Sequence, residues 1–250
     1  MKWLAVLLAC VVVGCGGDDG DSSGSSKPRL VVSAASSMTE ALDACSPEFG
    51  DATVRLSFAG SDELAAQIRQ GVKPDVYAAA NTKLPDALHA EGLLGKPVGF
   101  ATNELVLAVP AGSQIASVHD LAAKGVTIAI GDESVPIGSY TRETLGKLPA
   151  AEGRAILANV RSNEPDVKGI VGKLTQGAVD AGFVYVTDVN AAGSDLKAIE
   201  LPPGVEPQVT YAAGVVEGAK HPEQARTYVD ELLDGPCADA LRDAGFGAAP

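Results

Sequence analysis

The chain has 250 residues, with 32 acidic against 19 basic side chains, a net charge of −13 and 46% hydrophobic residues. That balance argues against nucleic acid or an anionic lipid surface as partner, while the apolar content suffices for a real core. The three histidines and four cysteines show no metal-ligand spacing and no nucleophile elbow.

The first element is a leader rather than a part of the fold. Lys2 precedes the uncharged run Trp3 to Gly14 and then Cys15. A dozen apolar residues are too few to cross a bilayer core, which needs about twenty. One basic residue, a short apolar core and a small residue before the cut describe an export signal. Val12-Val13-Gly14-Cys15 resembles the bacterial lipobox, in which the cysteine is acylated and becomes the new N-terminus. Leu7-Leu8-Ala9-Cys10 competes with it but leaves a shorter apolar core, so residues 1–15 are read as the signal and Cys15 as the lipidation site. Gly16 to Ser26 is almost wholly Gly, Ser and Asp, so 16–28 is expected to be a flexible tether reaching roughly 20 Å. An ordinary secreted protein with a disordered N-terminus is the alternative.

Beyond the tether, β-rich runs alternate with helical stretches. Leu30 to Ala34 predicts a strand, Met38 to Phe49 a helix, Val54 to Phe58 a strand, Asp62 to Gln70 a helix and Asp75 to Ala79 a strand. The same rhythm returns with strands at Val126 to Ile130 and Ala181 to Val186, and helices near Ser139 to Lys147 and Asp166 to Gln176. Strand, helix, strand implies α/β lobes, each a mainly parallel sheet flanked by helices. The runs Glu104 to Pro110 and Gln208 to Val216 are expected to be the two crossings of a hinge. Lobe I is then 29–105 plus 213–250, and lobe II is 106–212. Pro222 to Ala244 predicts two helices broken at Gly235-Pro236. Export places Cys45 and Cys237 in an oxidising compartment, which predicts a disulfide between them rather than two buried free thiols; closing so long a loop is worth roughly 4–5 kcal/mol in the chain-entropy model.

With both sheets presenting their strand carboxyl ends to one cleft, a ligand belongs there. Ser37 with Glu40 three residues on has the form of a capping box, and Gly60-Ser61 starts a helix in the same way after the second strand. Helix-start amides lack partners within the helix and favour anions. In the second half, Pro136-Ile137-Gly138 predicts a turn whose amides face the cleft, Asp166-Val167 begins the next helix, and Tyr185 ends a strand with a phenolic donor. Each has a plainer reading: Ser37 capping its own helix, or Tyr185 at the edge of the core.

Five segments, Ala34 to Leu42, Phe58 to Ser61, Gly131 to Tyr140, Asp166 to Gly169 and Gly182 to Asp188, taken in order, resemble the periplasmic molybdate-binding proteins of bacterial ABC importers. The likeness runs from about Leu30 to Phe246. It implies a two-lobed type II binding-protein fold with a two-crossing hinge. It further implies a molybdate or tungstate dianion held by neutral donors: hydroxyl and amide of Ser37 and Ser61, amides of Ile137 and Val167, and the Tyr185 hydroxyl. The metal would be held only through its oxygens, with no cofactor and no direct protein ligand. The implied partners are a membrane permease and its ATPase, for a monomeric receptor that the signal places outside the cytoplasm and the lipid at Cys15 anchors to the membrane. Gly60 and Asp62 depart from the serines of relatives, and Ile137 is bulkier than a frequent alanine. Neutral pre-oriented donors also reconcile an anionic ligand with an acidic chain.

An enzyme would need a nucleophile or base in the cleft. His89, His119 and His221 read as surface or capping residues, so no catalysis is expected. The nearest rival is a receptor for sulfate or another tetrahedral oxyanion on the same fold; a sensory or structural module is the last alternative.

Overall fold

The computed structural model describes residues 27–249, so the leader, Cys15 and the tether to Ser26 lie outside the described residues. Two five-stranded sheets form two lobes. The first takes β1 (Arg29–Ala35), β2 (Thr53–Ala59), β3 (Val76–Ala79), β4 (Val98–Asn103) and, from late in the chain, β10 (Val209–Val215), in the order β2-β1-β3-β10-β4. The second takes β5 (Leu105–Pro110), β6 (Ile128–Gly131), β7 (Val160–Glu164), β8 (Ala181–Tyr185) and β9 (Leu196–Ile199), in the order β7-β6-β8-β5-β9.

Both sheets are mixed by the same rule. β1 runs parallel to β2 and β3, and β6 parallel to β7 and β8, because a helical crossover separates each pair. The strand that enters each lobe after a crossing, β5 or β10, inserts antiparallel to its two neighbours. The first crossing is the single residue Glu104 between β4 and β5. The second spans 200–208, so the boundary expected at 213 moves: Val209–Val215 is one strand that pairs along its length in the first sheet. Leu105 likewise pairs with Tyr185 in the second.

Strand β3 shows why a short apolar run forms a central strand. Val76 and Ala78 face one buried cluster and Tyr77 and Ala79 the other, as period-two geometry requires when both faces are covered. Helices α2 (Ser61–Arg69) and α3 (Lys83–Ala90) supply Leu64, Ile68 and Leu88 to the second cluster. On the opposite face lie α1 (Thr39–Cys45), α8 (Pro222–Leu233) and α9 (Pro236–Ala244). Cys45 of α1 is bonded to Cys237 of α9, with Cα atoms 5.0 Å apart. Around the second sheet stand α4 (Pro136–Lys147), α5 (Ala150–Ala158), α6 (Val167–Thr175) and α7 (Val186–Ala192).

Two expectations change. The helix expected from Met38 to Phe49 is split: Ser36–Met38 and Ser46–Glu48 are 3₁₀ turns flanking α1, the second opened by Pro47 at its first turn. Pro136-Ile137-Gly138, read as a turn, is the first turn of α4, since proline at the first helical position lacks only an amide that had no partner there.

Candidate functional site

In each lobe the chain leaves a central strand, β1 or β6, first to one side and later to the other, and the carboxyl ends at that switch point form a crevice. The two crevices face each other. Ala35, Ser36, Ser37, Ala59, Gly60, Ser61 and Ala80 of lobe I meet Val135, Pro136, Ile137, Asp166, Val167 and Tyr185 of lobe II around one cavity. About 10 Å³ is open to the centre of a water-sized sphere, roughly the space of a single water. The structure brings Ser37, Ser61, Ile137, Val167 and Tyr185 together on its wall. All five are at least 95% buried, and among the described residues no Lys, Arg or His shares the lining.

The donors arise from local helix geometry. Gly60 caps α2 and accepts the Leu64 amide, leaving the amides of Ser61, Asp62 and Glu63 without helical partners. Ser61 Oγ accepts the Ala80 amide at 3.1 Å, and its carbonyl accepts the Tyr77 hydroxyl at 2.7 Å. In α4, Ser139 is the first residue bonded back to Val135, so Ile137 and Gly138 offer free amides. Asp166 caps α6 through the Gly169 amide at 3.0 Å, which leaves the Val167 and Lys168 amides free. The Tyr185 hydroxyl is fully buried and has no hydrogen-bond partner among the described residues. Burial holds its pKa well above the ordinary phenol value, so it is a donor.

The capping box expected of Ser37 and Glu40 does not form. Ser37 Oγ lies 2.8 Å from the Tyr211 hydroxyl, and Glu40 reaches across the cleft to Lys168, both carboxylate oxygens at 2.8 Å. The 3₁₀ turn carries Ser37 past the cap position, so its side chain points at β10 instead of its own backbone. Lys168 also stands 3.3 Å from the buried Asp188.

Further contacts close the lobes. Ser134 Oγ donates to Asp62 across the cleft at 2.6 Å, and a Cβ on Gly60 would come within 2.4 Å of the Pro165 carbonyl. The two departures from the serines of relatives are therefore both positions where the lobes meet. The histidines stay away from the cavity: His89 bonds the Leu94 carbonyl, His119 pairs with Glu152, and the His221 amide donates to Asp75.

The model of the bacterial extracellular solute-binding protein family matches residues 30–247. The molybdate-binding protein ModA of Mycobacterium tuberculosis is 31% identical over an alignment covering 98% of this chain and 99% of that one. The chain belongs to the molybdate-binding solute-binding proteins. The periplasmic molybdate-binding protein of Azotobacter vinelandii shares its fold with a TM-score of 0.79 at 19% identity, over 88% of this chain and 100% of that one. The sulfate-binding protein SubI of M. tuberculosis does so with a TM-score of 0.78 at 14% identity, over 88% and 86%. The fold is thus the type II binding-protein architecture, and a protein of this family transports its solute without converting it.

For a solute-binding protein, the residues behind the ligand wall count as well. Tyr211, Asn103, Lys168 and Asp188 were not singled out from sequence. Tyr211 and Asn103 sit inside β-rich runs at the crossings, where a polar group among apolar neighbours was the available signal. Lys168 lay within a recognised segment, next to Val167.

Proposed function

We propose that this chain is an extracytoplasmic receptor that binds molybdate, and equally tungstate, in the interlobe cavity and hands it to the permease and ATPase of an ABC importer. Acylation at Cys15 would hold the receptor, a monomer, to the membrane. The single observation that carries the ligand class is the donor-rich wall: a buried Tyr185 hydroxyl without a partner, beside helix-start amides and the hydroxyls of Ser37 and Ser61, with Asp166 engaged in capping its own helix and no cationic side chain among the described residues. An unpaired buried hydroxyl is costly by about 1–3 kcal/mol and is satisfied by an acceptor entering the cavity.

A fully deprotonated tetrahedral dianion offers acceptors only. Molybdate and tungstate have nearly the same size, whereas sulfate has shorter bonds that leave some donors unmade, and unmade bonds in a dry site are costly. The Mycobacterium tuberculosis relative named for molybdate supports the same cargo.

Calorimetric titration of the purified chain with molybdate, tungstate and sulfate tests the reading. Tight binding of the first two with none of the third is expected, and Tyr185→Phe should weaken it about 10- to 100-fold, the range for one hydrogen bond to a charged group. Preference for sulfate, or a Tyr185→Phe variant with unchanged affinity, would refute the assignment.

A further inference from the structure

Behind Ser37 a chain of buried polar groups runs to the hinge. Ser37 Oγ is 2.8 Å from the Tyr211 hydroxyl, and Asn103 Nδ2 is 3.4 Å from that same hydroxyl and 2.9 Å from Thr187 Oγ1. All four residues are more than 90% buried. Asn103 ends β4, at the first crossing; Tyr211 lies in β10, just past the second; Thr187 belongs to α7 of the other lobe.

The direction of each bond follows from the chemistry of the atoms. The Glu104 amide donates to Asn103 Oδ1 at 2.9 Å, which fixes the amide so that Nδ2, a donor only, faces Tyr211. Tyr211 accepts from Asn103 at 3.4 Å; either hydroxyl of the Ser37–Tyr211 pair could donate on geometry, and the proton is assigned to Tyr211 because its acceptor side already faces Asn103. Burial keeps the phenol protonated, with its pKa well above the ordinary value. With one lone pair of Ser37 filled from behind, its hydroxyl proton turns forward into the cavity. Ser61 is held in the same sense, by the Ala80 amide.

We propose that Asn103 and Tyr211 are positioning residues: a one-way donor relay from the hinge that commits the Ser37 hydroxyl to donate to the bound oxyanion. This rests on the oxyanion reading above and adds a cause for its selectivity. With both serines committed as donors, a ligand oxygen that carries a proton meets donor against donor at either one, so the site takes fully deprotonated anions. Asn103, Tyr211 and Ser37 all belong to the first lobe, and the Asn103 bond to Thr187 is the one contact of the set that reaches the other lobe.

Double-mutant cycles test it, using whichever of molybdate, tungstate or sulfate the unaltered chain binds. Tyr211→Phe keeps the ring and its edge contacts with Phe100, Tyr185 and Phe246, and should weaken binding about 5- to 20-fold with the unfolding temperature nearly unchanged. In a Ser37→Ala background the same change should cost less than twofold, because the group it orients is gone; in a Ser61→Ala background its full effect should persist. Equal losses in both backgrounds, or no loss in the unaltered one, would overturn the relay. A chain that binds sulfate alone would sink the molybdate assignment and leave the relay to be decided by the same cycles; a chain that binds none of the three would sink both.

Discussion

Asp188 is a carboxyl group whose two environments oppose each other. Burial is the larger influence and raises its pKa to about 7; Lys168 at 3.3 Å and the Tyr185 amide at 3.2 Å pull the other way. Folded, the group keeps its proton to about pH 7, whereas in the unfolded chain it releases it near the ordinary value of about 4. Between these limits the folded state binds more protons, so this residue makes stability fall as pH rises from about 4 to 7 and has no further effect above. At about 1.4 kcal/mol per unit the span is on the order of 4 kcal/mol. Asp188→Asn retains an acceptor for the Tyr185 amide. Thermal unfolding across pH 4–8 should therefore show the unaltered protein losing stability relative to the variant up to about pH 7, with a constant difference beyond. A difference that grows in the opposite direction would mean that Lys168 outweighs burial.

At the scale of elements, two features join parts far apart in the chain. The Cys45–Cys237 bond ties α1 to α9 across a separation of 192 residues, a loop worth about 5 kcal/mol in the chain-entropy model. Reduction should lower the unfolding temperature markedly while the lobe II helices, which the bond does not touch, keep their order; hydrogen exchange on the reduced protein reads both. Gly60, at the start of α2, meets the Pro165 carbonyl before α6. Gly60→Ala should weaken ligand binding at least tenfold, because closure brings those atoms together, and leave the melting of the ligand-free protein unchanged; calorimetry and a thermal scan separate the two effects. β1, β2 and β6, whose ends wall the cavity, were legible in the sequence because each is followed at once by a turn or helix-start residue, Ser36, Gly60 or Asp132. β4, β7 and β9 were not; all three are sheet edges, and Val160–Glu164 carries polar side chains that hide its period, whereas the edge strand β2 keeps its alternation. The Ser37–Tyr211 bond joins residues 174 apart and exists only because β10 inserts antiparallel beside β3, a pairing that no local pattern announces.

For the whole molecule, the question is what keeps two lobes closed that share only two crossings. The ligand itself bridges both walls in the proposed function. The protein adds its own contacts at the rim, Asp62 with Ser134 on one path and Glu40 with Lys168 on the other. The second pair is half open to water, with Glu40 at 49% and Lys168 at 29% exposure, so it contributes about 1 kcal/mol or less. That is small against folding, yet up to about fivefold in a closure equilibrium, and a contact made only when the lobes meet acts on release more than on capture. Glu40→Gln leaves Lys168 beside Asp188 and removes only the cross-cleft charge. In a chase experiment at low salt the variant should release ligand about two- to fivefold faster than the unaltered protein. Salt weakens the intact pair but has nothing to weaken in the variant, so at about 1 M, where the Debye length is about 3 Å, the two release rates should converge. A gap that persists at high salt would show that Glu40 acts through packing, and equal rates at low salt would show that the ligand alone holds the lobes together.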